Sequence, residues 1–336
     1  MLKKIKYAFI KHSLDKRKRS SGFNLEAGET FKLPLDAEVD QNNSYYFSAH
    51  DLDGNSLFLR LGLRGGNSAE VWFTYKDNQH FFVAESNLFK TETSPLTVTC
   101  IEVGKRWSLS YQGMVVDVAT NKKHDLNFVA DFMATHPALD FFHDLPSEPL
   151  AEAIANEKWT KAFFKEVAKN NQVHYEQQGK ISGTIELDGN ITTINLNAIR
   201  DHSYGTRMWD YMNNHMWLLA IDEGGSSVNV SMVSYPSIKK LLLGNIYIND
   251  LVVPFSKITY LSDLTPHGDI PSDIRLELSA NKQTFNMTAT KECEVVYQFE
   301  DGKYTLIEGI GSFNINGKKA RGIIEFGFNI NRARWH

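Results

Sequence analysis

Cysteine is nearly absent from this sequence. Cys100 and Cys293 are the only two in 336 residues, too few for a disulfide framework and without the spacing of a metal site. Long apolar runs are missing as well. No segment approaches the ~20 consecutive apolar residues of a membrane-spanning helix, and the stretch Tyr7–Ile10 behind the first lysines is too short for a secretory signal. These absences point to a cytosolic chain. An excess of positive charge is lacking too: the net charge is −4, without the basic footprint of a nucleic-acid-binding protein. There is no glycine-rich phosphate loop, no Walker motif and no βαβ rhythm, so nucleotide chemistry has no foothold and no cofactor is called for.

What is present is apolar and aromatic. Hydrophobic residues make up 42% of the chain and aromatics 12%, enough to fill β-sheet cores and to line an apolar cavity. Charge is unevenly placed. Lys3, Lys4, Lys6, Lys11, Lys16, Arg17, Lys18 and Arg19 crowd the first twenty residues, with Asp15 as the only acid. Such an arm reads as a frayed, solvated tail; peripheral contact with an anionic membrane surface is the alternative.

Period-two alternation broken by turn residues runs through most of the chain, the pattern of antiparallel sheet. Leu57, Leu59, Leu61 and Leu63 alternate with Phe58, Arg60, Gly62 and Arg64, between turns at Asp51–Asn55 and Gly65–Asn67. The segment Leu96–Val118 continues the style, with turns expected at Lys105 and at Gln112-Gly113. One stretch differs: Ser147-Glu148-Pro149 opens a helix-like run in which Trp159, Phe163 and Val167 fall four apart, ending at Asn170-Asn171. Strands then resume to the end. The expected class is all-β, mainly antiparallel, with two lipocalin-like (calycin-like) β-barrels: a basic arm at 1–22, a first barrel at 23–146, a bridging helix at 147–172 and a second barrel at 173–336. Edge strands are covered by the neighbouring half or by another copy.

Polar residues gather at the start of the second half. His174-Tyr175-Glu176-Gln177 comes first, then Arg200 to Asp210, then Met216 to Gly225. In a strand, Arg200, His202 and Tyr204 face one side and Asp201 and Ser203 the other. A histidine beside a carboxylate is a plausible acid–base pair; a buried ion-pair network pinning a barrel closed explains the same residues equally well. His174, His202 and His215 could converge on a metal, but no short two-histidine spacing supports it, and no metal is expected. Ser203 lacks the glycine-flanked elbow of a nucleophile. Asp51-x-Asp53-Gly54-Asn55 lacks the later bidentate glutamate of a calcium loop and reads as a hairpin turn.

These residues resemble a known group. Arg200-Asp201-His202-Ser203-Tyr204-Gly205-Thr206-Arg207 resembles the RDHSWGxR motif of the AttH-like, carotenoid 1,2-hydratase-like superfamily. Trp217 through Gly224 is similar to that group's W-x-x-x-x-L-D-D-G strand and turn, and His174-Tyr175-Glu176-Gln177-x-Gly179 to its HYEQ-x-G segment. Ile307-Glu308-Gly309 with Gly322–Phe326 resembles its closing hairpin, and Tyr45–Tyr75 its first domain. The resemblance runs from about Phe23 to the C-terminus.

It implies two calycin-like barrels and a hydrophobic ligand, an isoprenoid or polyene. Members include hydratases, terpenoid-cyclase relatives and Diels–Alderases, so the implied enzyme is a lyase or isomerase that protonates an alkene for hydration, cyclisation or isomerisation. By motif, Asp222 is the implied acid, with His202 and Tyr204 as catalytic partners. Trp209 and Trp217 would line the cavity, His174 and Glu176 contact substrate, and Arg200 and Arg207 either frame Asp201 and Asp210 or grip an anionic head group. Tyr204 stands where the group has Trp, and Asp222-Glu223 where it has Asp-Asp. A carrier that binds the ligand without turnover is the alternative, and a purely structural motif the third reading.

Overall fold

The computed structural model describes residues 2–34, 36–169, 172–248, 251–260 and 271–331. The chain opens with helix α1 (Leu2–Ser20) and the short helix α2 (Leu25–Glu29), whose first turn is capped by the Asn24 side chain accepting the Ala27 N–H. Strands follow: β1 (Gln41–His50), β2 (Ser56–Arg64), β3 (Ser68–Lys76), β4 (Phe81–Ala84), β5 (Leu88–Lys90), β6 (Leu96–Glu102), β7 (Arg106–Asp117), β8 (Lys122–Ala134) and β9 (Leu139–Asp140). Helices α3 (Glu148–Asn156) and α4 (Lys161–Lys169) separate these from β10 (Gln172–Leu187) and β11 (Asn190–Thr206). The remainder is β12 (Asn214–Asp222), β13 (Ser227–Ser234), β14 (Leu241–Ile248), β15 (Leu251–Pro254), β16 (Lys257–Tyr260), β17 (Asp273–Ala280), β18 (Gln283–Phe299), β19 (Tyr304–Ile315) and β20 (Lys318–Asn329).

Two units result. The first comprises Phe23–Phe141 and Asn171–Arg207. Its eight main strands run in the order β11-β1-β2-β3-β4-β7-β8-β10, and β10 pairs back to β11, which closes the barrel. Alternation does what the sequence implied: Phe47, Leu59, Val71, Phe73, Leu109, Phe128, Phe132, Ile181 and Leu196 point inward as one buried cluster. An eight-stranded barrel has an interior that side chains can fill. The β1–β2 turn is held as expected, by the Asp51 carboxylate accepting the Asn55 N–H at 2.9 Å.

The second unit comprises Met1–Gly22, Phe142–Asn170 and Met208–His336. Its nine strands form one curled, open antiparallel sheet, β15-β14-β13-β12-β20-β19-β18-β17-β16. Met216, Leu218, Val230, Leu276, Ile324 and Phe326 lie in the buried cluster on one face.

Four expectations are corrected. The division at 146 and 173 does not follow the sheets: β10 and β11 pair with β8 and β1, so the Arg200–Arg207 motif belongs to the first barrel. Barrel closure joins strands far apart in sequence, which alternation alone does not reveal. The single bridging helix is two, α3 and α4, and the expected end at Asn170-Asn171 lies outside the described residues. Gln112-Gly113 is no turn but sits within β7. The basic arm is a 19-residue helix, not a frayed tail. Its Tyr7, Ile10 and Leu14 pack with Ala151, Ile154 and Phe163, and Lys3 and Lys11 form ion pairs with Glu152 and Glu148 at 3.3 Å each.

Candidate functional site

The motif strand β11 and its neighbour β10 present two faces, and the sequence divides its polar groups between them. Ile181 and Ile185 on β10, with Ile194, Leu196 and Ala198 on β11, point into the barrel. By alternation so do Tyr175, Gln177, Arg200, His202 and Tyr204, while His174, Glu176, Asp201 and Ser203 point outward.

The inward group fills one end of the barrel. Glu29, the last residue of α2, is its hub, with a fully buried side chain. Arg200 Nη2 donates to Glu29 Oε1 at 2.7 Å; Trp107 Nε1 donates to Oε2 at 2.9 Å, and the Gly104 N–H to the same oxygen at 3.3 Å. Gly104 sits at φ +68°, a left-handed conformation that glycine adopts without strain. Arg200 also donates to Gln177 Oε1, whose amide donates in turn to the carbonyls of Gly104 and His136 at 2.8 Å each. Cys100 donates its thiol hydrogen to Glu29 at 3.6 Å, and burial together with the Glu29 charge pushes that thiol up to about 11, so it is an inert thiol.

His202 lies beyond Tyr175. Asn43 Nδ2 donates to the Phe31 carbonyl at 3.1 Å, which turns Asn43 Oδ1 toward His202 Nε2 at 2.8 Å. Nε2 therefore carries the hydrogen, and Nδ1 accepts from the Tyr175 hydroxyl at 2.5 Å. The same hydroxyl lies 2.8 Å from Glu29 Oε1, so one proton serves two acceptors. Burial, with the charges of Arg200 and His174, holds His202 well below the ordinary imidazole range. Burial and the Glu29 charge push the Tyr175 hydroxyl far up, so it stays protonated. Tyr45 stacks on His202 at 4.3 Å and Phe31 on Tyr204 at 4.5 Å.

The outward group is of another kind. Glu176 and Asp201 are directly opposed in the β10–β11 register, two carboxylates side by side. His174, two residues before Glu176 on the same face, contacts Asp201 through Nε2 and lies 3.8 Å from Glu176. Phe141 stacks flat on the His174 ring at 4.2 Å. Burial disfavours the charged ring, but the two carboxylates outweigh it and raise the His174 pKa, against an opposing contribution from Arg207. The His174 side chain is 34% exposed, but its Nε2, held against Asp201, is buried. Ligand atoms of His174, Glu176 and Asp201 lie within 4.8 Å of one another, a spacing that suits a cation as well as a shared proton.

The remaining expected site residues are dispersed. Arg200 does not frame Asp201, because consecutive strand residues face opposite ways; its partner is Glu29. Arg207 donates to Gln172 Oε1 at 3.3 Å, and its own carbonyl accepts from Arg64 at 2.8 Å. Asp210 lies in the second unit, 3.8 Å from Lys303. Asp222 ends β12 in that unit too, where its Oδ1 accepts the Ser226 N–H at 2.8 Å and shapes the β12–β13 turn. Trp217 donates to Asn229 at 3.0 Å, and Trp209 stacks on Phe299 at 4.6 Å. His174 and His202 face opposite sides of one sheet and do not converge, and His215, in the second unit, bonds to Tyr304 and Glu325. Glu29, Asn43 and Trp107 were not foreseen, and no local pattern around them signals their role.

A closed eight-stranded antiparallel barrel with a second curled sheet is the AttH-like double-barrel fold. A family model described as a domain of unknown function (DUF7064) matches residues 29–330, and the chain belongs to that family. The sequence finds no significant match among curated proteins. Among solved structures it is similar to a Nitrosomonas europaea protein described as an AttH, with TM-score 0.55 and 13% identity over 89% of this chain and 97% of that one. It is similar to CghA, with TM-score 0.53 and 11% identity over 94% and 95%. It also matches kievitone hydratase from Nectria haematococca, with TM-score 0.45 and 13% identity over 93% and 97%. At these identities the likeness is one of fold.

Proposed function

We propose that the protein binds a hydrophobic small molecule of the isoprenoid or polyene type and is a hydratase- or cyclase-like enzyme, acting by proton-initiated addition, cyclisation or isomerisation at an alkene. The observation that carries this reading is the His174–Asp201 pair with Glu176 beside it: a partly exposed imidazole, its pKa raised, against two carboxylates and an aromatic face. In the hydration form, the His174 imidazolium gives a ring proton to one alkene carbon, and the π pair forms the new C–H bond. The carboxylates of Asp201 and Glu176 and the face of Phe141 stabilise the cation at the other carbon. Water captures the cation and returns a proton to His174, so alkene and water become an alcohol. This assignment moves the acid from Asp222 to His174. It leaves His202 and Tyr204 as positioning residues in the barrel wall.

The carrier reading has its own support. His202 is bonded at both ring nitrogens and Arg200 is neutralised by Glu29, so the inward half of the motif holds no proton to give. Native mass spectrometry of the protein incubated with a lipid extract separates the two, with His174→Gln, Asp222→Asn and His202→Gln as variants. A polyene bound by all folded forms, and altered by all except His174→Gln, is the expected result. A ligand returned unaltered by the wild type establishes the carrier. Alteration lost only in Asp222→Asn restores Asp222 as the acid.

A further inference from the structure

We propose that α1 docks the protein on an anionic lipid surface, an inference independent of the chemistry proposed above. A helix that only covers a core needs one apolar stripe. This helix has two. Tyr7, Ile10 and Leu14 form the docked face, against α3 and α4. On the opposite side, Leu2, Ile5 and Phe9 recur at helical spacing and are 68%, 60% and 62% exposed. The apolar surface continues past the helix. The Phe9 ring lies 6.1 Å from Trp159, and Trp159 packs edge-on at 5.3 Å against Phe164, itself 41% exposed.

Basic residues flank this patch, and the nearest glutamates, Glu152 and Glu148, are already paired with Lys3 and Lys11. Lys4, Lys16 and Arg19 are exposed on the solvent half of α1. Lys161 and Lys165 are exposed one turn apart on α4, next to Phe164. The other basic residues of α1 fasten it. Lys3 and Lys11 pair with Glu152 and Glu148, Lys6 donates to the Glu157 carbonyl at 2.7 Å and lies over Trp159, and Arg17 lies 4.8 Å over Phe142. The patch is therefore carried on an anchored helix. Apolar side chains at the centre and lysines around them match an interface whose core is acyl chain and whose surface is anionic. Such a helix lies in the plane of the membrane, its apolar face sunk by about 5–10 Å. Each lysine near the surface adds attraction that salt weakens.

Sedimentation of the full chain with phosphatidylcholine vesicles, with and without phosphatidylserine, tests this. Binding to the phosphatidylserine vesicles alone, falling at high salt, is the expected result. The exposed-site variant Ile5→Ser/Phe9→Ser is expected to abolish binding with an unchanged melting temperature. Lys4→Glu/Lys16→Glu is expected to weaken it at least about tenfold. Equal sedimentation with both vesicle types, or none with either, overturns the proposal, and needs no variant to be folded. Self-association that Ile5→Ser/Phe9→Ser dissolves, without vesicle binding, overturns it as well and assigns the patch to a second copy of this chain.

Discussion

Each unit buries a glutamate, a tyrosine and a histidine in a hydrogen-bonded row, but in different order. In the barrel the row is Glu29–Tyr175–His202, with tyrosine in the middle. In the curled sheet it is Tyr304–His215–Glu325, with histidine in the middle: the Tyr304 hydroxyl lies 2.6 Å from Nδ1, and Nε2 lies 2.5 Å from Glu325 Oε1. The order decides the proton count. With a neutral His215, the Tyr304 hydroxyl donates to Nδ1 and Nε2–H donates to the carboxylate, so each contact has its own proton. In the barrel row the single Tyr175 proton lies between two acceptors, because Asn43 fixes the only imidazole hydrogen at Nε2. The curled-sheet row thus has one hydrogen for each contact. The barrel row shares one hydrogen between two acceptors and relies on Arg200 to balance Glu29.

That contrast orders the expected effects of mutation. The largest belongs to the barrel. Arg200→Met leaves Glu29 ionised and buried without its guanidinium, and is expected to cost about 3–5 kcal/mol in urea unfolding, with much of it recovered by adding Glu29→Gln. Second is Gly327→Ala in the curled sheet. Gly327 is the β20 residue opposite His215, and a Cβ there collides with the His215 ring and the Tyr304 hydroxyl, for an expected loss of about 1–3 kcal/mol by the same measurement. The matching change beside the barrel row, Gly28→Ala, brings a Cβ to 3.2 Å from the Tyr175 ring and is expected to cost less.

The histidines of β10 and β11 are expected to act oppositely with pH. His202 is depressed in the fold, so only the unfolded chain takes up its proton as pH falls through the unfolded value near 6.5. Its contribution is intact above that value and is lost progressively below it. His202→Gln should flatten the fall in urea stability between pH 7 and pH 5. His174 is raised, so its contribution is present below about 6.5 and is lost as pH rises through its folded value. Being partly exposed, it gives the smallest effect: His174→Gln should trim stability at acid pH and leave it unchanged at alkaline pH.

Much of this was legible in the sequence because it is local. Alternation marked out the strands, and Asp51–Asn55 and Gly65–Asn67 marked real turns. The same alternation correctly divided Arg200, His202 and Tyr204 from Asp201 and Ser203. What stayed hidden was non-local. Nothing in β10 or β11 says that they close the barrel begun by β1. Glu29 lies in a five-residue helix, 171 residues before Arg200. The first helix was hidden differently. Counting its charges gave a tail, whereas the spacing of Tyr7, Ile10 and Leu14 already described a docked helix.

The central claim is that adjoining strands hold two histidines for opposite purposes, His202 neutral and structural, His174 charged and chemical. A nitrogen-15 titration of both imidazoles in one sample tests it most directly. The account predicts that His202 stays neutral, with its hydrogen on Nε2, to well below the usual imidazole midpoint, while His174 remains charged above that midpoint. A His202 that titrates at or above the His174 midpoint would contradict it.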